Sequence, residues 1–169
     1  MSGGEFDWGM KTLNMNRIVT IFLCSIVVSL FVGCDYVKGI SVDNQSNDTL
    51  LFCVKGSAAD TLPPVQMLDK YDLIAPGEEG YYGGMVNGPD DYTMFFDDRS
   101  RFTTVFIFRM ETFRKYSYHR IRTENRILAR YVLDLEALKA VNWSLTYPPS
   151  RQMFDAGVDI YVNPNDPDE

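Results

Sequence analysis

Apolar and polar positions divide this chain into an opening apolar run, a long middle of short mixed segments, and an acidic end. Residues 18–32 carry no charge and read Ile-Val-Thr-Ile-Phe-Leu-Cys-Ser-Ile-Val-Val-Ser-Leu-Phe-Val, preceded by Lys11 and Arg17. As a helix this run reaches only ~22 Å, against the ~30 Å of a bilayer core. A short apolar stretch behind basic residues is the pattern of an export signal.

From residue 37 onward the pattern changes to short strands separated by turn residues. Val37, Ile40 and Val42 lead into Asp43-Asn44-Gln45-Ser46-Asn47-Asp48 and then into Leu50-Leu51-Phe52-Cys53-Val54, which together predict an opening hairpin. A weak strand over 71–74 meets Ala75-Pro76-Gly77-Glu78, where proline then glycine suits a type II turn. Thr103-Thr104-Val105-Phe106-Ile107-Phe108 is β-branched and aromatic throughout, and its unbroken apolar character predicts a central strand covered on both faces. The stretch 110–128 is expected to be helical in part. Asp134 has the character of an N-cap for a short helix with Leu135, Leu138 and Val141 on one side. Trp143-Ser144-Leu145-Thr146-Tyr147 alternates with period two and should be a strand, stopped by Pro148-Pro149, and 153–162 is expected as an edge strand. The sum is an α+β fold: mainly antiparallel β-sheet, or a sandwich, with one or two short helices inserted before its last strands.

Composition narrows the address. The 169 residues include three cysteines and one histidine, too few for a disulfide scaffold or a poly-histidine metal site. The apolar run ends in Leu30-Phe31-Val32-Gly33-Cys34, which resembles a bacterial lipobox, although Phe31 stands where leucine is usual. The resemblance implies that Cys34 is diacylated and becomes the new N-terminus, and two chains suffice for stable membrane attachment. Glu5 and Asp7 do not suit a basic leader, so translation is expected to start at Met10 or Met15. The expected organisation is a signal over 1–33, a lipidated N-terminus and tether over 34–39, one globular domain over 40–162, and a disordered acidic tail over 163–169. Removing the signal leaves Cys53 as the one unmodified thiol, in an apolar run where a buried inert side chain is expected. The expected location is the cell envelope, facing the periplasm, with the choice between inner and outer membrane open.

A wider likeness follows from Arg130-Tyr131-Val132-Leu133, Leu135 to Leu138, and Asn142-Trp143-Ser144-Leu145-Thr146-Tyr147-Pro148. This pattern is similar to the C-terminal signature of small uncharacterised lipoproteins from Gram-negative gut anaerobes. Val42 to Leu50 and Ala75-Pro76-Gly77-Glu78 resemble theirs too, and Asp134 stands where those proteins often carry Ser or Thr. The resemblance implies an envelope address and domain limits, and brings no catalytic residue. By themselves Trp143 and Tyr147 read as core, and Pro148 as a strand stop.

The search for chemistry starts from charge. With 16 basic against 23 acidic residues the formal net charge is −7, which argues against nucleic acid as a partner. The signal takes away two charges of each sign (Lys11, Arg17, Glu5, Asp7), so the mature chain keeps −7. The stretch 109–130 nevertheless holds seven basic residues (Arg109, Arg114, Lys115, Arg120, Arg122, Arg126, Arg130) and two acids (Glu111, Glu124), leaving −12 for the rest. Arg122, Arg126 and Arg130 recur every four residues and would form one stripe on a helix. With Arg120 they are the candidate interaction surface, either a docking face for an acidic protein or anionic envelope groups, or a solvated face paired with the protein's own acids. Asp90-Asp91 and Asp97-Asp98 lack the spacing of a calcium loop. Tyr81, Tyr82, Tyr116 and Tyr118 raise sugar stacking against ordinary packing. No nucleophile elbow, zinc-protease helix, phosphate-binding loop or dinucleotide fingerprint is present. The expectation is therefore a membrane-anchored, non-enzymatic binding domain with no cofactor and no metal. The alternatives are an enzyme on envelope glycans or peptides using unmarked carboxylates, or an immunity-type protein that neutralises a basic toxin.

Overall fold

A computed structural model describes residues 36–58, 62, 73–86, 88, 90–96 and 100–164. The compact unit that holds the described residues begins at Tyr36. The described residues form an α+β fold of two mostly antiparallel sheets and four short helices. The strands are β1 (Tyr36–Asn44), β2 (Leu50–Lys55), β3 (Leu73–Ile74), β4 (Glu79–Val86), β5 (Phe102–Arg109), β6 (Ala129–Asp134), β7 (Ser144–Tyr147) and β8 (Asp159–Val162). The helices are α1 (Met110–Lys115), α2 (Tyr118–Thr123), α3 (Leu135–Ala140) and α4 (Arg151–Asp155). One sheet has the order β4-β1-β7, the other β3-β2-β5-β6-β8, and β1 with β7 is the parallel pair.

β5 is the central strand of the larger sheet, as its apolar sequence predicts, and the period-two rule sorts its side chains between two cores. Val105 and Ile107, with Leu50 and Phe52 of β2 and Tyr131 and Leu133 of β6, face Ile40, Val42, Leu145 and α3's Leu138. Phe106 and Phe108, with Leu51 and Cys53, face the other way and are covered by Ile121, Phe113 and Tyr118 of the α1–α2 segment. The larger sheet is thus sandwiched between the smaller sheet and two helices, so Leu50 to Cys53 of β2 and Thr103 to Phe108 of β5 are buried.

The opening hairpin does not form. β1 and β2 belong to different sheets, and the turn between them crosses from one layer to the other. Asn44 stabilises the crossing from a fully buried position. Its Nδ2 donates to the carbonyls of Asp48 at 2.7 Å and Ile74 at 3.0 Å, while Oδ1 accepts from Ser46 N–H and Oγ. The type II turn after β3 is present, with Gly77 at φ +77° and Glu78 N–H donating to Ala75 C=O at 3.0 Å, and it caps the same residue through Gly77 N–H to Asn44 C=O. Arg109 Nε reaches Asp48 Oδ2 at 2.8 Å and ties the crossing to the end of β5.

Three helices end alike. Asn125, Asn142 and Gly157 adopt left-handed φ, and the next amide donates five residues back, Arg126 to Ile121, Trp143 to Leu138 and Val158 to Met153. Trp143 also sits at φ +63°, outside β7, and stacks on Tyr92 at 5.6 Å while tilting against Phe95. Residues 153–162, expected as one edge strand, contain the end of α4, the Gly157 turn and then β8. Residues 36–39, expected as tether, are the first part of β1, and Asn163, expected in the tail, donates from its backbone and side chain to Leu128 and Ile127 carbonyls.

Candidate interaction surface

Cys34, Asp97 and Asp98 lie outside the described residues. The basic stretch is fully described, and it is not one helix. The left-handed Asn125 ends α2, and Ile127, Leu128 and Ala129 are buried consecutively as the chain enters β6. Arg122 is therefore helical, Arg126 belongs to the connecting turn, and Arg130 belongs to a strand. A four-residue spacing makes a stripe only where the backbone stays helical, and here it does not.

The arginines are still brought to one side of the molecule, on the α1–α2 face of the larger sheet. Arg130 lies over the ring of Tyr161, its neighbour on β8, at 5.6 Å. Arg126 and Arg120 lie over Tyr116, at 3.9 Å and 5.0 Å from its centre, attracted by the negative ring face. Both also bond Glu124: Arg120 Nε to Oε1 and Arg126 Nε to Oε2, each at 2.5 Å. The hydrogen bond from Arg120, followed by that from Arg126, holds the Glu124 carboxyl below the usual glutamate range. Arg114 pairs with Glu111 at 3.5 Å across one helical turn. Arg122, exposed on α2, makes no ion pair among the described residues.

Asp48, Glu111 and Glu124 pair with Arg109, Arg114, Arg120 and Arg126, two arginines sharing Glu124, so the stretch keeps a net positive charge, and Arg120, Arg122 and the Tyr116 ring form its outer rim. The cluster of two guanidiniums, one aromatic ring and one carboxylate is preorganised, because each group is held by two others. The sequence named Arg120 and Arg126 among the candidates but not their arrangement. Glu124 and Tyr116, which bring Arg120 and Arg126 together, carry no sequence signal of this role.

The four tyrosines considered for sugar stacking do not form a platform. Tyr81 lies on the outer face of β4, where it covers Gly39 and Gly83, and Tyr82 points inward to an edge contact with Phe95. Tyr116 and Tyr118 pack against the second core, and burial pushes the Tyr118 hydroxyl up to about 12, with Cys53 adding to the shift and Arg122 opposing it. Cys53 is buried, and desolvation pushes its thiol to about 12, the opposite of an activated nucleophile.

An open groove of about 450 Å³ lies between the start of β5 and the start of α3, lined by Phe96, Ser100, Arg101, Phe102, Asp134, Leu135 and Glu136. The two carboxylates among its described lining residues each have a local partner. Asp134 accepts from Ala137 N–H at 2.8 Å as the N-cap of α3, and Glu136 pairs with Lys139 at 3.0 Å. Among the described residues no group of three or more metal-ligating side chains converges, and no helix is long and apolar enough to cross a membrane. No protein-family model, curated protein or solved structure matches the chain.

Proposed function

We propose that the protein is a lipid-anchored component of the cell envelope whose domain is a non-enzymatic binding module, held at the membrane by acyl chains on Cys34. The observation that carries this reading is the coincidence of two independent boundaries. The lipobox-like Leu30-Phe31-Val32-Gly33-Cys34 ends the apolar run, and the folded unit starts at Tyr36, one residue past Asp35. Processing before Cys34 would leave every described strand intact. The surface offered to an acidic protein or anionic envelope group is the rim formed by Arg120, Arg122 and Tyr116, preorganised through Glu124. Asp134 caps a helix and the Cys53 thiol is buried and protonated, so neither group is set up for turnover, which favours binding.

Metabolic labelling with palmitate and detergent phase partitioning test the anchor. The wild-type chain is expected to label and enter the detergent phase, and Cys34→Ser to lose the label. A Cys34→Ser variant that still labels and partitions overturns the anchor, and turnover of an envelope glycan or peptide by the purified protein overturns the binding reading.

A further inference from the structure

The outer face of the smaller sheet is chemically graded along its length. Directly opposed pairs on β1 and β4 run Val37–Met85, Gly39–Gly83, Ser41–Tyr81 and Asp43–Glu79. At one end Val37 is 63% exposed and Met85 76% exposed. The Tyr81 ring, itself 47% exposed, extends this apolar strip by lying across Gly39 and Gly83, and a Cβ at either glycine would collide with it. The other end is acidic, with Asp43 and Glu79 opposite one another and exposed Glu78 beside them. Among the described residues β7 pairs with β1 only over Ser41 to Asn44, and there the apolar end is a two-stranded ribbon reaching past the rest of the sheet.

The apolar end is also the end where β1 begins. Asp35 alone separates Cys34 from Tyr36, and two extended residues span at most ~7 Å. Lipid on Cys34 would therefore hold the start of β1 at the headgroups, with no tether to lift the domain away. The geometry points to the β1–β4 ribbon as a second, non-covalent membrane contact: Val37, Met85 and Tyr81 lie in the headgroup–acyl boundary of the bilayer that holds the Cys34 chains. Apolar side chains with an aromatic ring are suited to that boundary, and the acidic Asp43–Glu79 end, ~20 Å further along the strand, is turned away from an anionic surface. The lipid anchor would then fix the orientation of the domain as well as its location. This inference rests on the lipid-anchor reading of Cys34.

The test uses the full lipidated chain in vesicles of phosphatidylethanolamine and phosphatidylglycerol. An environment-sensitive fluorophore is attached at Met85→Cys or, on the same face of the same strand, at Glu79→Cys; buried Cys53 stays unlabelled. Both positions are exposed, so neither label disturbs the core, and circular dichroism checks the fold. The expected result is blue-shifted emission at 85 that brominated acyl chains quench, with emission at 79 remaining aqueous and unquenched. Equal aqueous emission at both sites, in protein shown to carry palmitate on Cys34, overturns the ribbon contact and leaves the anchor standing. Blue-shifted emission at 85 that brominated lipid does not quench marks a protein contact and also overturns it. Absence of palmitate on Cys34 overturns both readings.

Discussion

Single residues determine how the layers of this fold connect. Asn44 has no apolar substitute, because its amide donates to two carbonyls and accepts two bonds where water does not reach. Asn44→Ala leaves several of these groups unsatisfied and is expected to cost about 2–4 kcal/mol, read as a lower midpoint of denaturant unfolding. Cys53 makes a different prediction. Its folded pKa, about 12, is raised above the ordinary 9.0, so the buried neutral thiol contributes stability that is complete below pH 9 and is lost as pH rises towards 12. In the protein with acylated Cys34, a chromogenic disulfide reagent at pH 8 is expected to leave the native thiol untouched and to react once denaturant unfolds the chain. Rapid reaction in the native state would show that the thiol is accessible. Its burial was legible in Leu50-Leu51-Phe52-Cys53-Val54, whereas nothing in the turn sequence 43–48 marked Asn44 as the residue that is buried.

Among elements, those specified by neighbouring residues were the legible ones. The Asp134 cap, the Ala75-Pro76-Gly77-Glu78 turn and β5 depend on contacts within a few positions or on a run of one residue class. Asp134→Ala removes an N-cap bond at an exposed site and is expected to cost ~1 kcal/mol, with Asp134→Ser recovering most of it in thermal unfolding. The strands β1 and β7 were legible from their own pattern, but their pairing, which depends on distant segments, was not. β1 looks like half of a hairpin because turn residues follow it, yet its partners β4 and β7 lie about 40 and 100 residues away. The arginine stripe fails for a related reason. Spacing by four fits a helix only until a left-handed residue ends it, and Asn125 is as ordinary in sequence as the Asn142 that does the same after α3.

For the whole molecule, the larger sheet with both faces covered is the organising feature, and the α1–α2 face and the outer face of the smaller sheet lie on opposite sides of it. The basic rim and the proposed lipid-facing ribbon therefore belong to different layers, which would leave Arg120 and Arg122 available to a partner while β1 and β4 meet the membrane. The sequence by itself determined the apolar run ending at Cys34, the α+β class, the central β5 and the local caps, because each is encoded by residues close together in the chain. Only the tertiary structure decided which strands pair, that Glu124 and Tyr116 gather the arginines, and that one sheet face grades from Val37 and Met85 to Asp43 and Glu79. Those outcomes depend on contacts between distant segments, where burial and hydrogen-bond satisfaction of the whole chain outweigh any local preference.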